Sequence, residues 1–252
     1  MIKNSFIFLE NIGQKKEQQF WEQNILCWDD FLKAQEVRGI GKLKKLFFDR
    51  RLLSAKQALH DQDAEYFSRL LPQQECWRLY NEFKDETLFL DIETAGFYGN
   101  ITVIGLYDGF ETKMMIRGIN LDKEILRKEL EKYKLLVTFN GSSFDLPVIK
   151  RYFGDVIPCI PHIDLRGVCS KIGLRGGLKS IENQLGIERP DDIKYIYGTD
   201  AVWLWHKYRH TGDEKYLQTL IRYNEEDIMN LKPIAERVIK ELWEKRFWKN
   251  IS

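Results

Sequence analysis

Apolar positions in the first 85 residues recur at three- and four-residue spacings: Phe6, Leu9, Ile12, Phe20, Trp21, Ile25, Trp28, Phe31 and Leu32. That period puts one apolar stripe on each helix, and no run here alternates as a half-buried strand would. Gly13 and the "RGIG" stretch at 38–41 mark turns between short helices. "KLKKLFFDRRLLSAKQAL" follows as an amphipathic helix, with Leu43, Leu46, Phe47, Leu52 and Leu53 set among charges. From Glu86 the period changes. "TLFLDIE", "ITVIGLYDG" and "ETKMMIRG" are short β-rich runs separated by turn residues, with Asp108-Gly109 as a hairpin signal, and they predict a three-strand meander. "DKEILRKELEKYK" predicts a helix, "LLVTF" a strand, and "SFDLPVIKRYF" a helix that carries Pro147 in its first turn, where proline is tolerated. Beyond Ile160 the pattern is helical. This order predicts a small all-helical domain over residues 1–85 and an α/β domain over 86–252, a mixed sheet flanked by helices.

Composition changes this picture little. The 252 residues are 44% apolar and 13% aromatic, enough for a sizeable core, and the charged residues nearly cancel to +1. Any attraction for nucleic acid must therefore be local. One local excess exists: between Lys33 and Lys56 there are eight basic residues against Glu36 and Asp49. It reads equally as a solvated helix face or a phosphate-contacting surface. No basic start leads into a long apolar run, and no stretch is long and apolar enough to span a bilayer, so the expectation is a soluble, cytoplasmic protein without a membrane partner. Cys27, Cys76, Cys159 and Cys169 show no CxxC spacing and read as small buried fillers in a reducing compartment. Nothing in the pattern sets an oligomeric state.

The chemistry begins at "LFLDIETAG". Asp91 and Glu93 stand at i and i+2 on a predicted strand, so both carboxylates leave the same face about 6.6 Å apart. Like charges that close raise each other's pKa unless a cation intervenes, and oxygen-only ligands favour Mg²⁺ or Mn²⁺ over zinc. "FNGSSFD" places Asn140, Phe144 and Asp145 after another predicted strand. "YNEED" places Tyr223 and Asp227 on one face of a helix. His206 and His210 share a zinc-compatible spacing without a third ligand and read as an exposed helix face, while Trp203 and Trp205 read as core.

In this order the three segments resemble the exonuclease motifs of the DEDD family, within the ribonuclease H-like superfamily. D-x-E falls on Asp91 and Glu93, N-x-x-x-[FY]-D on Asn140, Phe144 and Asp145, and Y-x-x-x-D on Tyr223 and Asp227. Arg222 stands where the histidine subclass carries its histidine, so the resemblance is to the tyrosine type. "FNGSSFDLPVI", "PHIDL", "GLKSIENQLGI" and "RPDDI" are similar to a prokaryotic RNase H-like branch. The resemblance implies a ribonuclease H-like mixed sheet and a two-metal 3′–5′ exonuclease acting on single-stranded DNA or RNA ends. It implies that Asp91 bridges two Mg²⁺ or Mn²⁺ ions, that Glu93 and Asp227 hold one of them, that Asp145 supports the site, and that Tyr223 with Glu93 orients the attacking water. It also puts Asn140, Phe144, Thr94 and the wedge position Phe97 at the terminal nucleotide. Residues 1–85, whose Gly13 segment loosely resembles a helix-hairpin-helix, would help to grip the strand. Two rivals share these residues: a structure-selective endonuclease on the same fold, and a nucleic-acid-binding adaptor with a degenerate site.

Overall fold

The computed structural model describes residues 1–96 and 99–247. Its N-terminal part holds a 3-10 turn (Ile2–Asn4) and helices α1 (Gln14–Trp21), α2 (Trp28–Lys33), α3 (Lys42–His60), α4 (Ala64–Ser68) and α5 (Tyr80–Phe83), with a longer 3-10 segment at Gln73–Leu79 before α5. Gly13 has extended backbone and precedes α1, and the left-handed turn residue nearby is Asn11. Helix α3 buries Phe48, Leu52, Ala55 and Ala58. Leu43, Leu46 and Leu53 instead face outward, 85%, 60% and 56% exposed.

A five-stranded sheet follows, built from β1 (Thr87–Thr94), β2 (Ile101–Tyr107), β3 (Thr112–Ile116), β4 (Leu135–Thr138) and β5 (His162–Asp164) in the order β3-β2-β1-β4-β5. The first three strands form the antiparallel meander, whereas β4 and β5 join β1 in parallel. The turn between β2 and β3 spans four residues, with Gly109 at positive φ and the Asp108 carboxylate accepting from the backbone N–H groups of Phe110 and Glu111. Helices α6 (Lys123–Leu130) and α7 (Asp145–Phe153) precede and follow β4. The remainder forms α8 (Leu165–Lys171), α9 (Leu178–Leu185), α10 (Gly198–Thr211) and α11 (Glu214–Phe247), the last running through Pro233. Strand β5 lies in "PHIDL", where the family resemblance allows a strand or a loop; three residues are too short to carry a period of their own.

Alternation along β1 assigns the two sides of the sheet. Leu88, Leu90 and Ile92 pack with Leu126, Leu130, Val148 and Ile149 of α6 and α7. Phe89, Asp91 and Glu93 point the other way, toward α11, which lies against β1 and β2. The C-terminal half of α11 then packs on the helical region: Trp243 meets Trp21 and Trp77, with ring centroids 6.1 and 6.2 Å apart. One apolar cluster accordingly runs from Ile2 and Phe6 through Phe89, Val137 and Ile163 to Leu242. The change of sequence pattern at residue 86 does not divide this core.

Two smaller expectations are corrected. Trp205 is buried, but Trp203 is half exposed and stacks edge-on with Tyr216. Cys76 and Cys169 are buried fillers, whereas Cys159 is exposed. Among the described residues no helix is long and apolar enough to cross a membrane.

Candidate functional site

Three elements bring carboxylates to one place. Strand β1 presents Asp91 and Glu93 toward α11, and α11 presents Tyr223 and Asp227 back toward the sheet. Asp91, Glu93 and Asp227 each offer an oxygen within 4.8 Å of the others, forming a possible acidic metal site. A β-bulge between Glu93 and Thr94 ends regular pairing beside them. The fourth carboxylate, Asp145, opens α7 and accepts the backbone N–H of Ile92 at 3.1 Å, on the strand between Asp91 and Glu93.

The electrostatics follow from this crowding. Burial, and then the charges of Asp145, Asp227 and Glu93, raise Asp91 well above the carboxylate range. Burial with Asp227 and Asp145 does the same to Glu93. Burial lifts Asp145 to about 7, against the pull of its backbone hydrogen bonds. Asp227 rises to about 6 through burial, although the Arg189 guanidinium and the Tyr223 hydroxyl hold it down. Burial and the three nearby carboxylates push the Tyr223 phenol far upward, so it remains a proton donor. The residues fit a hard divalent cation: the donors are oxygen only, and their mutual repulsion is what such an ion relieves.

Most of the other expected residues have partners of their own. Asn140 follows β4 in the left-handed region (φ 65°), which asparagine tolerates, and its side-chain oxygen accepts from Arg166 Nη1 at 2.8 Å. Thr94 is buried, and its hydroxyl donates to the Gly96 carbonyl. Phe144 precedes α7 and packs against the α6–α7 side of the core. Phe97 lies outside the described residues. Lys171 braces the Gln74 carbonyl and Glu75, while Lys179 donates to the Lys194 carbonyl and sits 5.4 Å from the Tyr223 ring centroid. His206 and His210 are exposed on α10, as expected.

Several residues around the site belong to none of the three motifs; of these, Asp164 in "PHIDL" reads from the sequence as an extra carboxylate near it. Asn224 donates from Nδ2 to Asp91 Oδ2 at 2.7 Å. Asp164 accepts the backbone N–H groups of Asn140, Ser142 and Arg166, so it holds the loop leading to Asp145. Arg189 donates to Asp227 and forms a two-bond fork with Glu182. Asn224 is recoverable in part, since it stands three residues before Asp227 on one helix face. The other contacts join separate elements, apart from the local bond by which Asp164 caps α8 through the Arg166 N–H. Beside Asn140 a cavity of about 450 Å³ opens, lined by Arg166 and Lys171 and, from the helical region, by Gln73, Gln74 and Trp77.

No curated protein matches the chain. Among solved structures, the family B DNA polymerase from the hyperthermophilic archaeon Pyrobaculum calidifontis is 15% identical, with a TM-score of 0.49, over 61% of this chain and 24% of that one. Escherichia coli RNase D, an exoribonuclease involved in structured RNA processing, is 18% identical, with a TM-score of 0.46, over 71% of this chain and 48% of that one. The chain thus spans less than half the length of either. The family model of the RNase H superfamily matches residues 88–239, which include β2 to β5, all of β1 but Thr87, and all four carboxylates. The chain belongs to the RNase H superfamily.

Proposed function

We propose that this protein is a metal-dependent 3′–5′ exonuclease that hydrolyses phosphodiester bonds at single-stranded DNA or RNA ends. The observation that carries this reading is the convergence of Asp91, Glu93 and Asp227 within 4.8 Å on a fold of the RNase H superfamily. Asp91, Glu93, Asp145 and Asp227 would hold two Mg²⁺ or Mn²⁺ ions. Such ions supply charge neutralisation and an activated water to phosphoryl chemistry. The protonated Tyr223 hydroxyl would orient that water together with Glu93. Asn140 and Thr94 would grip the terminal nucleotide. The helical region would help to hold the strand through Gln73, Gln74 and Trp77, which share the cavity beside Asn140 with Arg166 and Lys171.

The test is a 5′-labelled single strand incubated with Mg²⁺ or Mn²⁺. Stepwise shortening from the 3′ end supports the reading, discrete internal cuts support an endonuclease, and hydrolysis unchanged in Asp91→Asn removes the proposed site from the chemistry.

A further inference from the structure

The buried cation beside the cluster is a protein side chain. Arg189 follows α9 and turns back along it. Its Nε donates to Glu182 Oε2 at 2.7 Å and its Nη2 to Glu182 Oε1 at 2.6 Å, while Nη2 also donates to Asp227 Oδ1. Asn230, three residues beyond Asp227 on α11, donates to the same Glu182 oxygen at 3.1 Å. The Tyr223 ring centroid lies 5.6 Å from the guanidinium carbon. Arg189, Glu182 and Asp227 are all buried.

Two arrangements could give an arginine at this place. A mobile arginine would be a stand-in that leaves when a divalent cation arrives, whereas a fixed one would be a support that stays. A planar guanidinium held by a bidentate carboxylate has little freedom to swing, and here the carboxylate is itself pinned by Asn230. Charge points the same way. Glu182 cancels the arginine, so the pair adds no net positive charge to a centre that must attract a dication. Its effect on Asp227 is directional, because Oδ1 is the oxygen it holds. Without that bond, repulsion from Asp91 and Glu93 would rotate the Asp227 carboxylate away.

We propose that Arg189, locked by Glu182, is a positioning residue that orients the Asp227 carboxylate for divalent-cation binding and remains in place when the cation is bound. The inference rests on the metal-site reading above. Hydrogen-bonded partners of metal ligands commonly change affinity by about 10- to 100-fold when removed.

The test is Mn²⁺ titration of the full chain by calorimetry, with the Mn²⁺ electron paramagnetic resonance signal as a second readout. Arg189→Met should weaken Mn²⁺ binding by roughly 10- to 100-fold. Arg189→Lys, which keeps the charge and loses the fork, should recover only part of that loss. Because Arg189→Met strands a buried Glu182 charge, the doubly uncharged Glu182→Gln/Arg189→Met protein is titrated beside it, and its circular dichroism must match wild type. This pair should show the same weakening. Tighter binding in either variant would make Arg189 a competitor for the site, and unchanged affinity in a folded variant would make it merely structural; each overturns the inference alone. A wild-type protein that binds no Mn²⁺ overturns the metal-site reading as well.

Discussion

Asn224 reaches Asp91 across the sheet through a space that exists because β2 carries glycine there: Gly105 pairs with Asp91, and a Cβ on it would lie 2.1 Å from Asn224 Oδ1. The same residue that opens the sheet to α11 therefore permits a hydrogen bond to a carboxylate of the cluster. Gly105→Ala should cost about 1–3 kcal/mol as an overpacked core site. It should also weaken Mn²⁺ binding by roughly tenfold, because Asp91 loses its partner. Thermal melts and calorimetry on the same variant check both parts. Unchanged Mn²⁺ affinity would mean that Asn224 does not orient Asp91.

Protonation of the cluster makes the metal-free protein sensitive to pH. Asp145 titrates near 7 in the folded chain and near 3.9 when unfolded, so the folded state holds more protons between those values. Its contribution to stability is most favourable below about pH 4 and is lost as pH rises toward 7. Asp145→Asn removes the charge while keeping an oxygen that can accept the Ile92 N–H. Without metal, this variant should melt above wild type near neutral pH, with the advantage fading toward pH about 4. Carboxylates such as Glu75 and Glu129, lowered by nearby lysines and arginines, act in the opposite sense, so the difference between the two proteins is the quantity to read.

Asp164 carries a prediction for substrate binding. Replacing it with alanine removes the acceptor for three backbone N–H groups in the Asn140 loop and at the start of α8. Each unpaired buried group costs about 1–3 kcal/mol, less where water can reach it. Since the loop leads to both Asn140 and Asp145, Asp164→Ala should raise KM for a single-stranded substrate by more than it lowers kcat. Steady-state kinetics decide between this and a purely structural role, for which neither constant changes.

The helical region is tied to the rest by charge as well as by aromatic packing, through Glu75, whose carboxylate pairs with Lys171 and Arg246. Arg78 is fully buried, donates to Ser5, Glu17 and Glu75, and stands over the Trp77 and Trp243 rings. Arg78→Met strands Glu17, and denaturant unfolding should show a loss of about 3–5 kcal/mol. Removal of residues 1–85 would uncover Phe89, Val137, Ile163 and Leu242 together. The expected outcome is an aggregating fragment, and a soluble, cooperatively melting one would contradict the shared core.

Much of this was legible in the sequence, for local reasons. The alternation in β1 already placed Asp91 and Glu93 on one face, and a four-residue step already placed Tyr223 and Asp227 on one side of a helix. Three short segments sufficed because each keeps its pattern within a single element. Arg189, Glu182 and Asp164 lie in the "RPDDI", "GLKSIENQLGI" and "PHIDL" segments, yet no spacing there shows what each one holds, since Asp227, Asn230 and the Asn140 loop come from other elements. The three residues of β5 show no period of their own, and only the family resemblance at "PHIDL" left a strand open there, because its pairing with β4 comes from the sheet edge. The outward face of α3 was misleading in the same way: leucines at helical spacing imply burial, but Leu43, Leu46 and Leu53 face solvent while Phe48, Leu52, Ala55 and Ala58 are buried.

The most direct measurement of the central claim is anomalous diffraction from crystals soaked in Mn²⁺. The account predicts manganese density bounded by Asp91, Glu93 and Asp227, with Asp145 beside it and Arg189 still on Glu182. An empty cluster under saturating Mn²⁺ would contradict the assignment of these carboxylates to metal-dependent hydrolysis.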